Sequence, residues 1–127
     1  MEKLIPNIKI GAVEIGENQP CVVIAEGCDN HNGSLSKAKE IAQAAKEAGA
    51  DIVKFQLHLP DEEMDREGMK QTSSTMFSKW GDLYGFIEAN LIKPDDHAEL
   101  IKYCREIGIQ YLCTPFSLKA AQLLAEM

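Results

Sequence analysis

The sequence predicts an α/β fold built on a parallel sheet, and two observations indicate it. Short apolar runs rich in β-branched and aromatic residues alternate along the chain with longer segments whose apolar residues recur at helical spacing. The last helical pattern also runs to Met127 without a stop signal, which favours the beginning of a larger domain. A (β/α)8 barrel needs about 250 residues. We therefore expect the first three βα units of such a barrel, truncated and preceded by a β-hairpin.

The hairpin is predicted within residues 1–20. Ile8 to Ile15 reads IKIGAVEI, two short alternating runs around Gly11, which is typical of a β-hairpin. The apolar run Cys21–Ala25 follows and predicts a fully buried first strand of the parallel sheet. Residues 21–127 are then the N-terminal portion of the barrel domain.

A helix follows the first strand. Apolar residues recur at helical spacing from Leu35, either Ser34 or Ser36 can cap the helix, and Gly49 suits its end. Asp51–Leu57, which reads DIVKFQL, predicts the second strand because it is rich in β-branched and aromatic residues.

The second half of the chain repeats this pattern. Met76–Leu91 predicts a short helix, although its two glycines weaken the signal. A stronger helix is predicted to begin at Pro94, a residue favoured in the first turn, and to end at Gly108. Ile109–Thr114 predicts the third strand, and a helix capped by Ser117 follows to the end of the sequence.

Composition limits the classes of function. The chain has 127 residues, of which 45% are hydrophobic, so it can bury a core. Its net charge of −7 argues against a nucleic-acid partner bound through a basic face. An anionic substrate is still compatible, because a local pocket can be positive on an acidic protein. Five acidic residues fall between Asp61 and Glu67 and predict a solvated loop.

The four cysteines show no zinc-type spacing, and we expect reduced, buried thiols in a cytoplasmic protein. The sequence contains neither a signal-peptide core nor an apolar run of membrane-spanning length, so we expect no membrane partner.

Polar residues lie near the carboxyl end of each predicted strand. Alternation places Lys54 and Gln56 on one face of the second strand, and Glu26 and Thr114 are the last residues of the matching face on the first and third strands. Barrel enzymes carry their chemistry at this edge, so these four residues predict a site. A structural ion pair between Glu26 and Lys54 is an alternative that is compatible with a site.

Other polar residues give weaker signals. His31 lies in the first loop, where a histidine is more often hydrogen-bonded or exposed than a metal ligand. Asn30 suits the backbone of a turn. His58 has no partner at metal-ligand spacing, and His97 lies on a helix face, which is typical of packing or capping.

Three segments together resemble the sialic acid synthase family. IAEGCDNHNG resembles the family's AEIGxNHxG signature, AKEAGADIVKFQ resembles its second strand, and DDHAELIKYCREIGIQYLCTPF resembles the helix and strand that lead to its STPF motif. The segments occur in the correct order over nearly the whole chain. The resemblance implies a (β/α)8 barrel behind an N-terminal hairpin, followed by a C-terminal antifreeze-like domain that these residues do not include.

The resemblance also implies a reaction. Phosphoenolpyruvate condenses with an N-acetylmannosamine-type sugar to give a nine-carbon 2-keto acid and phosphate: the enol carbon attacks the sugar aldehyde, and water adds at the neighbouring carbon before phosphate leaves. A divalent metal, Mn²⁺ or Mg²⁺, activates the aldehyde, and its ligands are expected outside this chain. The full-length protein is expected to be a homodimer, and the 127-residue chain alone is expected to be inactive.

The matched motifs also imply roles for individual residues. Lys54 resembles the lysine that pairs with the phosphoenolpyruvate anion, and Thr114 resembles a residue whose hydroxyl donates to the same ligand. Gln56 resembles a hydrogen-bond partner of the sugar. Glu26 matches the signature glutamate near the aldehyde and is the candidate catalytic residue. Asn30 and His31 match the signature too and are candidate substrate-binding residues that shape the mouth of the site.

One departure and three alternatives stand beside this interpretation. The signature's Ile-Gly after the glutamate is Gly27-Cys28 here, a shift that can change the course of the loop. The alternatives are a Schiff-base aldolase that uses Lys54, a related eight-carbon keto acid synthase, and a non-catalytic half-barrel that binds or regulates a partner.

Overall fold

The computed structural model describes residues 7–70 and 75–127, without the Lys70 side chain, and confirms the α/β architecture. Residues 1–6 of the predicted hairpin domain lie outside the described residues. The strands are β1 (Asn7–Ile10), β2 (Val13–Gly16), β3 (Ile24–Cys28), β4 (Ile52–Leu57) and β5 (Gln110–Pro115). The helices are α1 (Leu35–Glu47), α2 (Pro60–Glu63), α3 (Arg66–Lys70), α4 (Leu83–Asn90), α5 (Pro94–Ile107) and α6 (Leu118–Glu126), with a 3₁₀ turn at Thr75–Phe77.

Strands β1 and β2 form the predicted antiparallel hairpin. Gly11 lies in the turn with a φ of 58°, a conformation that glycine adopts without strain. Gly11 also lies directly against β5. A Cβ at this position would be only 1.9 Å from Gln110 Oε1. Gln110 is the first residue of β5, so the hairpin packs at the amino edge of the second sheet.

The second sheet is parallel, with strand order β3-β4-β5. Glu26 of β3 lies opposite Lys54 of β4, and Gln56 of β4 lies opposite Thr114 of β5. Parallel strands need crossovers, and α1 makes the first while α2 to α5 lie along the second. The three strands therefore end at one shared edge, hereafter the carboxyl edge.

The core lies between one face of this sheet and the helices. Val53 and Phe55 of β4 are fully buried there, and their neighbours in the core cluster include Ala38 and Ala42 of α1 and Leu100 of α5. We call this side of the sheet the outer face. The opposite side, which carries Glu26, Lys54 and Gln56, is the inner face.

Local sequence signals set the helix ends as predicted. Ser34 caps α1 by accepting a hydrogen bond from the Lys37 N–H, and Ser117 caps α6 through the Ala120 N–H. Gly108 ends α5 in the left-handed conformation, with a φ of 74°. The short predicted helix is also present, as α4.

The prediction of a fully buried strand at Cys21–Ala25 is wrong. The strand begins three residues later, at Ile24, and Ile24 is 39% exposed while the preceding Val23 is 54% exposed. The reason is position in the sheet: β3 is an edge strand, paired on one side only, to β4. Cys21 is likewise exposed rather than buried, although all four cysteines are free thiols as predicted.

The prediction of a solvated loop at Asp61–Glu67 is correct for exposure, since four of the five acidic residues are exposed, but wrong for the backbone. Most of this segment folds into the short helices α2 and α3. Asp61 accepts a hydrogen bond from the Tyr84 hydroxyl at 2.7 Å, and the Glu63 side chain is only 8% exposed. Tertiary partners therefore hold this acidic segment against the domain.

No helix in the described ranges is long and apolar enough to cross a membrane.

Candidate active site

Glu26 and Lys54 form an ion pair on the inner face of the sheet. Their register in adjacent strands brings Lys54 Nζ to 2.7 Å from Glu26 Oε1. The Lys54 side chain is 28% exposed and the Glu26 side chain 51% exposed. The predicted ion pair is therefore present, and both charges can be reached by a ligand.

This contact fixes both charge states. The hydrogen bond from Lys54 lowers the pKa of Glu26, and the same bond raises the pKa of Lys54. Burial has a smaller, opposite effect on both groups. At neutral pH the inner face thus presents an ammonium beside a carboxylate.

Glu26 does not end its strand, contrary to the prediction, because a bulge extends β3. Pairing with β4 shifts between Glu26 and Cys28, so that Cys28 rather than Gly27 lies opposite Phe55. Gly27 is buried against this ring: a Cβ there would lie 2.6 Å from Phe55 Cε1. Cys28 takes a φ of 46°, the left-handed region that glycine favours.

The departure from the family signature therefore has a structural explanation in two parts. The signature's Ile position is Gly27 here, where the Phe55 ring leaves no room for a side chain. The signature's Gly position is Cys28, a non-glycine residue at positive φ. The Cys28 thiol lies 3.6 Å from Glu26 Oε2, within hydrogen-bond distance for sulfur.

Gln56 and Thr114 lie next to this pair, one layer nearer the carboxyl edge. They are register partners in β4 and β5, and both are partly exposed on the inner face. Four of the six predicted site residues, Glu26, Lys54, Gln56 and Thr114, are thus brought together. Their roles toward a ligand remain predictions.

Asn30 and His31 belong to the β3–α1 loop and are placed differently. Asn30 is exposed and its side-chain amide donates to the Gly27 carbonyl at 3.0 Å, which closes a turn. His31 is fully buried, accepts the Gly33 N–H at Nδ1, and packs near Phe55. Burial lowers its pKa, so His31 is a neutral ring inside the loop. Its predicted contact with substrate remains a prediction.

A second polar cluster at the carboxyl edge escaped the sequence analysis. His58 follows β4, is 6% exposed, and lies between Glu63 of α2 and Asp29 of the β3–α1 loop. His58 also contacts Gln56 at 3.2 Å, which connects the cluster to the predicted site. The available signal was that His58 lies two residues after Gln56 and so continues the same face of the strand, whereas no local pattern marks Glu63 or Asp29.

His97 confirms its predicted packing role. Its ring is fully buried, and Nδ1 lies 2.6 Å from the Tyr111 hydroxyl, on the outer side of the sheet. Burial, with the nearby His31 ring, lowers the pKa of His97 to about 4. The ring is therefore neutral at physiological pH.

The described residues do not fit a metal centre. Within residues 7–70 and 75–127, no group of three or more His, Cys, Asp or Glu side chains could hold a metal ion. A cavity of about 720 Å³ does exist, but it lies at the amino edge, where Gly11, Asp51 and Gln110 contribute to its lining. The polar pair and the cavity are thus at different ends of the sheet.

Comparison with known proteins identifies the family. A family model described as NeuB matches residues 41–127, more than half of the chain. The chain belongs to the NeuB family. The resemblance to the sialic acid synthase family is thereby confirmed.

Curated relatives carry synthase names. The chain is 33% identical over 114 residues to the human N-acetylneuraminate-9-phosphate synthase, covering 89% of this chain and 32% of that protein. It is 32% identical over 123 residues to the N,N'-diacetyllegionaminic acid synthase of Legionella pneumophila, covering 95% of this chain and 35% of that protein. The chain spans about a third of the length of these relatives.

Solved structures show the same fold. A sialic acid synthetase from Leptospira borgpetersenii, solved with citrate, superposes with a TM-score of 0.74 at 23% identity, over 94% of this chain and 38% of that one. The spore coat polysaccharide biosynthesis protein SpsE from Bacillus subtilis superposes with a TM-score of 0.68 at 30% identity, over 94% of this chain and 30% of that one. The α/β fold of this NeuB-family chain is therefore that of these proteins.

Proposed function

We propose that this NeuB-family chain is the N-terminal part of a (β/α)8-barrel synthase that makes a nine-carbon 2-keto sugar acid. The reaction joins phosphoenolpyruvate to an N-acetylmannosamine-type aldehyde and releases phosphate. The observation that carries the proposal is the 2.7 Å Glu26–Lys54 pair at the inner face of a NeuB-family sheet. A cytoplasmic location and a homodimer belong to the same proposal.

Lys54 supplies the cation in this proposal. A ligand carboxylate or phosphate can approach its ammonium from the open inner face, because the side chain is 28% exposed. Thr114 lies one layer further along the inner face and offers a hydroxyl to the same anion. An ammonium partly removed from water binds an anion more strongly than a fully solvated one.

Glu26 supplies the negative charge beside the reacting carbons. Its lowered pKa keeps it ionised at neutral pH, so it can accept a hydrogen bond from a sugar hydroxyl or from the water that adds to the enol phosphate. The metal is proposed to be held by residues outside those described, since these do not form a metal site. When bound, it would polarise the aldehyde.

The test is phosphate release by the complete gene product. Phosphoenolpyruvate and Mn²⁺ are supplied with each of three sugars: N-acetylmannosamine, its 6-phosphate, and a hexose with two acetamido groups. We expect phosphate release with one of them, together with a nine-carbon acid detected by mass spectrometry. Absence of turnover with all three overturns this proposal.

The Schiff-base alternative is less well supported. A nucleophilic lysine needs a lowered pKa, whereas the hydrogen bond to Glu26 raises the pKa of Lys54. Borohydride trapping with pyruvate should therefore leave Lys54 unlabelled. A covalent adduct at Lys54 in a peptide map would favour the aldolase instead.

A further inference from the structure

His58 is held between two carboxylates at the carboxyl edge. Its Nδ1 lies 2.8 Å from Glu63 Oε2, and its Nε2 lies 3.4 Å from Asp29 Oδ2. The Asp29 and Glu63 side chains are 18% and 8% exposed, so water competes weakly for these contacts. A neutral imidazole has only one N–H and would turn a lone pair toward one carboxylate. The arrangement therefore favours a ring with both nitrogens protonated.

The surroundings of the ring support this charge. Glu63 Oε1 accepts the Leu59 N–H while Oε2 faces His58 Nδ1, so contacts at both oxygens hold this carboxyl group against the ring. Phe116 stacks on the imidazole at a centroid distance of 4.1 Å, a favourable contact for a cation. Burial by itself would lower the pKa of His58, but its bonds to Asp29 and Glu63 outweigh that effect and raise it.

A doubly protonated His58 ring also orients Gln56. His58 Nε2 lies 3.2 Å from Gln56 Oε1, and a protonated nitrogen must face the carboxamide oxygen rather than its amino group. The Gln56 amino group has no hydrogen-bond acceptor within the described ranges, and the side chain is partly exposed on the inner face. Its two N–H donors are therefore free for a ligand.

We propose that Asp29, His58 and Glu63 form a positioning relay that fixes the Gln56 carboxamide with its amino group toward the site. The new element is the relay: it would aim the two donors of Gln56, which the family resemblance already implies as a sugar partner, at a hydroxyl or acetamido oxygen of the substrate. The inference rests on the proposed function for the identity of the ligand, and on geometry alone for the relay.

The first test exchanges the donor for an acceptor. Gln56→Glu keeps an oxygen for His58 but replaces the two donors with a second oxygen. In the complete gene product we expect the KM for the sugar to rise at least tenfold, with the KM for phosphoenolpyruvate unchanged within twofold. Gln122→Glu makes the same change at an exposed position of α6 and should alter neither constant. An unchanged sugar KM in Gln56→Glu overturns the inference.

The second test uses pH, because a merely structural role would not change a pH profile. The charged or titratable groups facing His58 are Asp29 from the β3–α1 loop and Glu63 from α2, beside Gln56 of β4 and Phe116 after β5. The KM for the sugar should rise as pH increases through the pKa of His58. In Glu63→Gln this rise should move to lower pH. A pH-independent KM in the parent, or an unmoved midpoint in the variant, contradicts the relay.

A third measurement needs no turnover. In the complete gene product with ¹⁵N-labelled histidine, both ring nitrogens of His58 should carry protons at pH 6.5, the signals being assigned by their loss in His58→Asn. A singly protonated ring overturns the relay, whatever the activity. Failure of all three sugars with a doubly protonated ring would instead refute the proposed function and leave the relay intact.

Discussion

The two faces of β4 divide the work of this domain. Val53, Phe55 and Leu57 on the outer face are fully buried, whereas Lys54 and Gln56 between them are partly exposed on the inner face. Adjacent residues of one strand therefore differ in their surroundings: one set packs in the core, and the other faces the proposed ligand site. Substitutions one position apart should therefore separate effects on stability from effects on activity.

The largest effect is expected on the outer face. Phe55→Ala removes a fully buried ring that lies near His31 and Tyr111, and we expect a loss of about 3–5 kcal/mol in the free energy of unfolding. Urea-induced unfolding measures it. The matched change on the inner face, Gln56→Ala, should cost less than about 1 kcal/mol. Equal losses at the two positions would show that the two faces of β4 do not differ in their contribution to stability.

The inner face should show the reverse behaviour. Lys54→Gln removes the proposed cation for phosphoenolpyruvate, and we expect phosphate release to fall by about 10²–10³-fold with little change in the urea midpoint. Lys39, which pairs with Glu99 on the helical side at 2.5 Å, provides the control. Lys39→Gln should keep full activity, and a comparable loss there would show that the inner face is not special.

His97 and His58, two of the three buried histidines, extend the comparison to the pH dependence of stability. His97 on the outer side has a pKa of about 4, so the unfolded chain binds more protons than the folded one between pH 4 and 6.5. Its contribution to stability is lost as pH falls through this window, and is at most about 3 kcal/mol. His58 has a raised pKa, so its contribution is present below pH 6.5 and is lost as pH rises through the higher folded value.

Unfolding free energies at pH 6.5 and 4.5 check this sign. The loss on acidification should be smaller in His97→Gln than in the parent chain. A variant that loses as much as the parent would show that His97 is not the group responsible.

The smallest effect concerns the bulge. Cys28 has a φ of 46°, so Cys28→Gly should be more stable than Cys28→Ala by about 1 kcal/mol. Cys21 is exposed and is not among the described residues with positive φ, so glycine should bring no such advantage there. Thermal unfolding of the four variants compares the two sites, and an equal preference at both would contradict a strain at Cys28.

The regular elements were predictable because local chemistry sets them. The caps at Ser34 and Ser117 and the glycine at Gly108 fixed helix ends that the structure confirms. Alternation also assigned Lys54, Gln56 and Thr114 to one face, which the register bears out. These signals depend on only a few neighbouring residues, so they predict helix ends and strand faces without knowledge of the tertiary fold.

The wrong predictions arise from contacts that strand and helix periodicity do not encode. Strand β3 extends past Glu26 because Gly27 fits against the Phe55 ring, a contact across 28 residues of sequence. The burial of Glu63 was not predicted because it depends on how α2 folds back onto the end of β4, where Glu63 meets His58 five residues earlier in the chain. Neither contact has a local pattern that periodicity or propensity can detect.

The contact between Gly27 and Phe55 also constrains how this sequence can evolve. An exchange of Gly27-Cys28 for the signature's Ile-Gly would drive an isoleucine into the ring, even though the second change would relieve the backbone at position 28. We therefore expect the exchange to be tolerated better when a smaller residue replaces Phe55. The effects of substitutions at positions 27, 28 and 55 should therefore be non-additive, and recombined NeuB-family sequences should keep these three residues together.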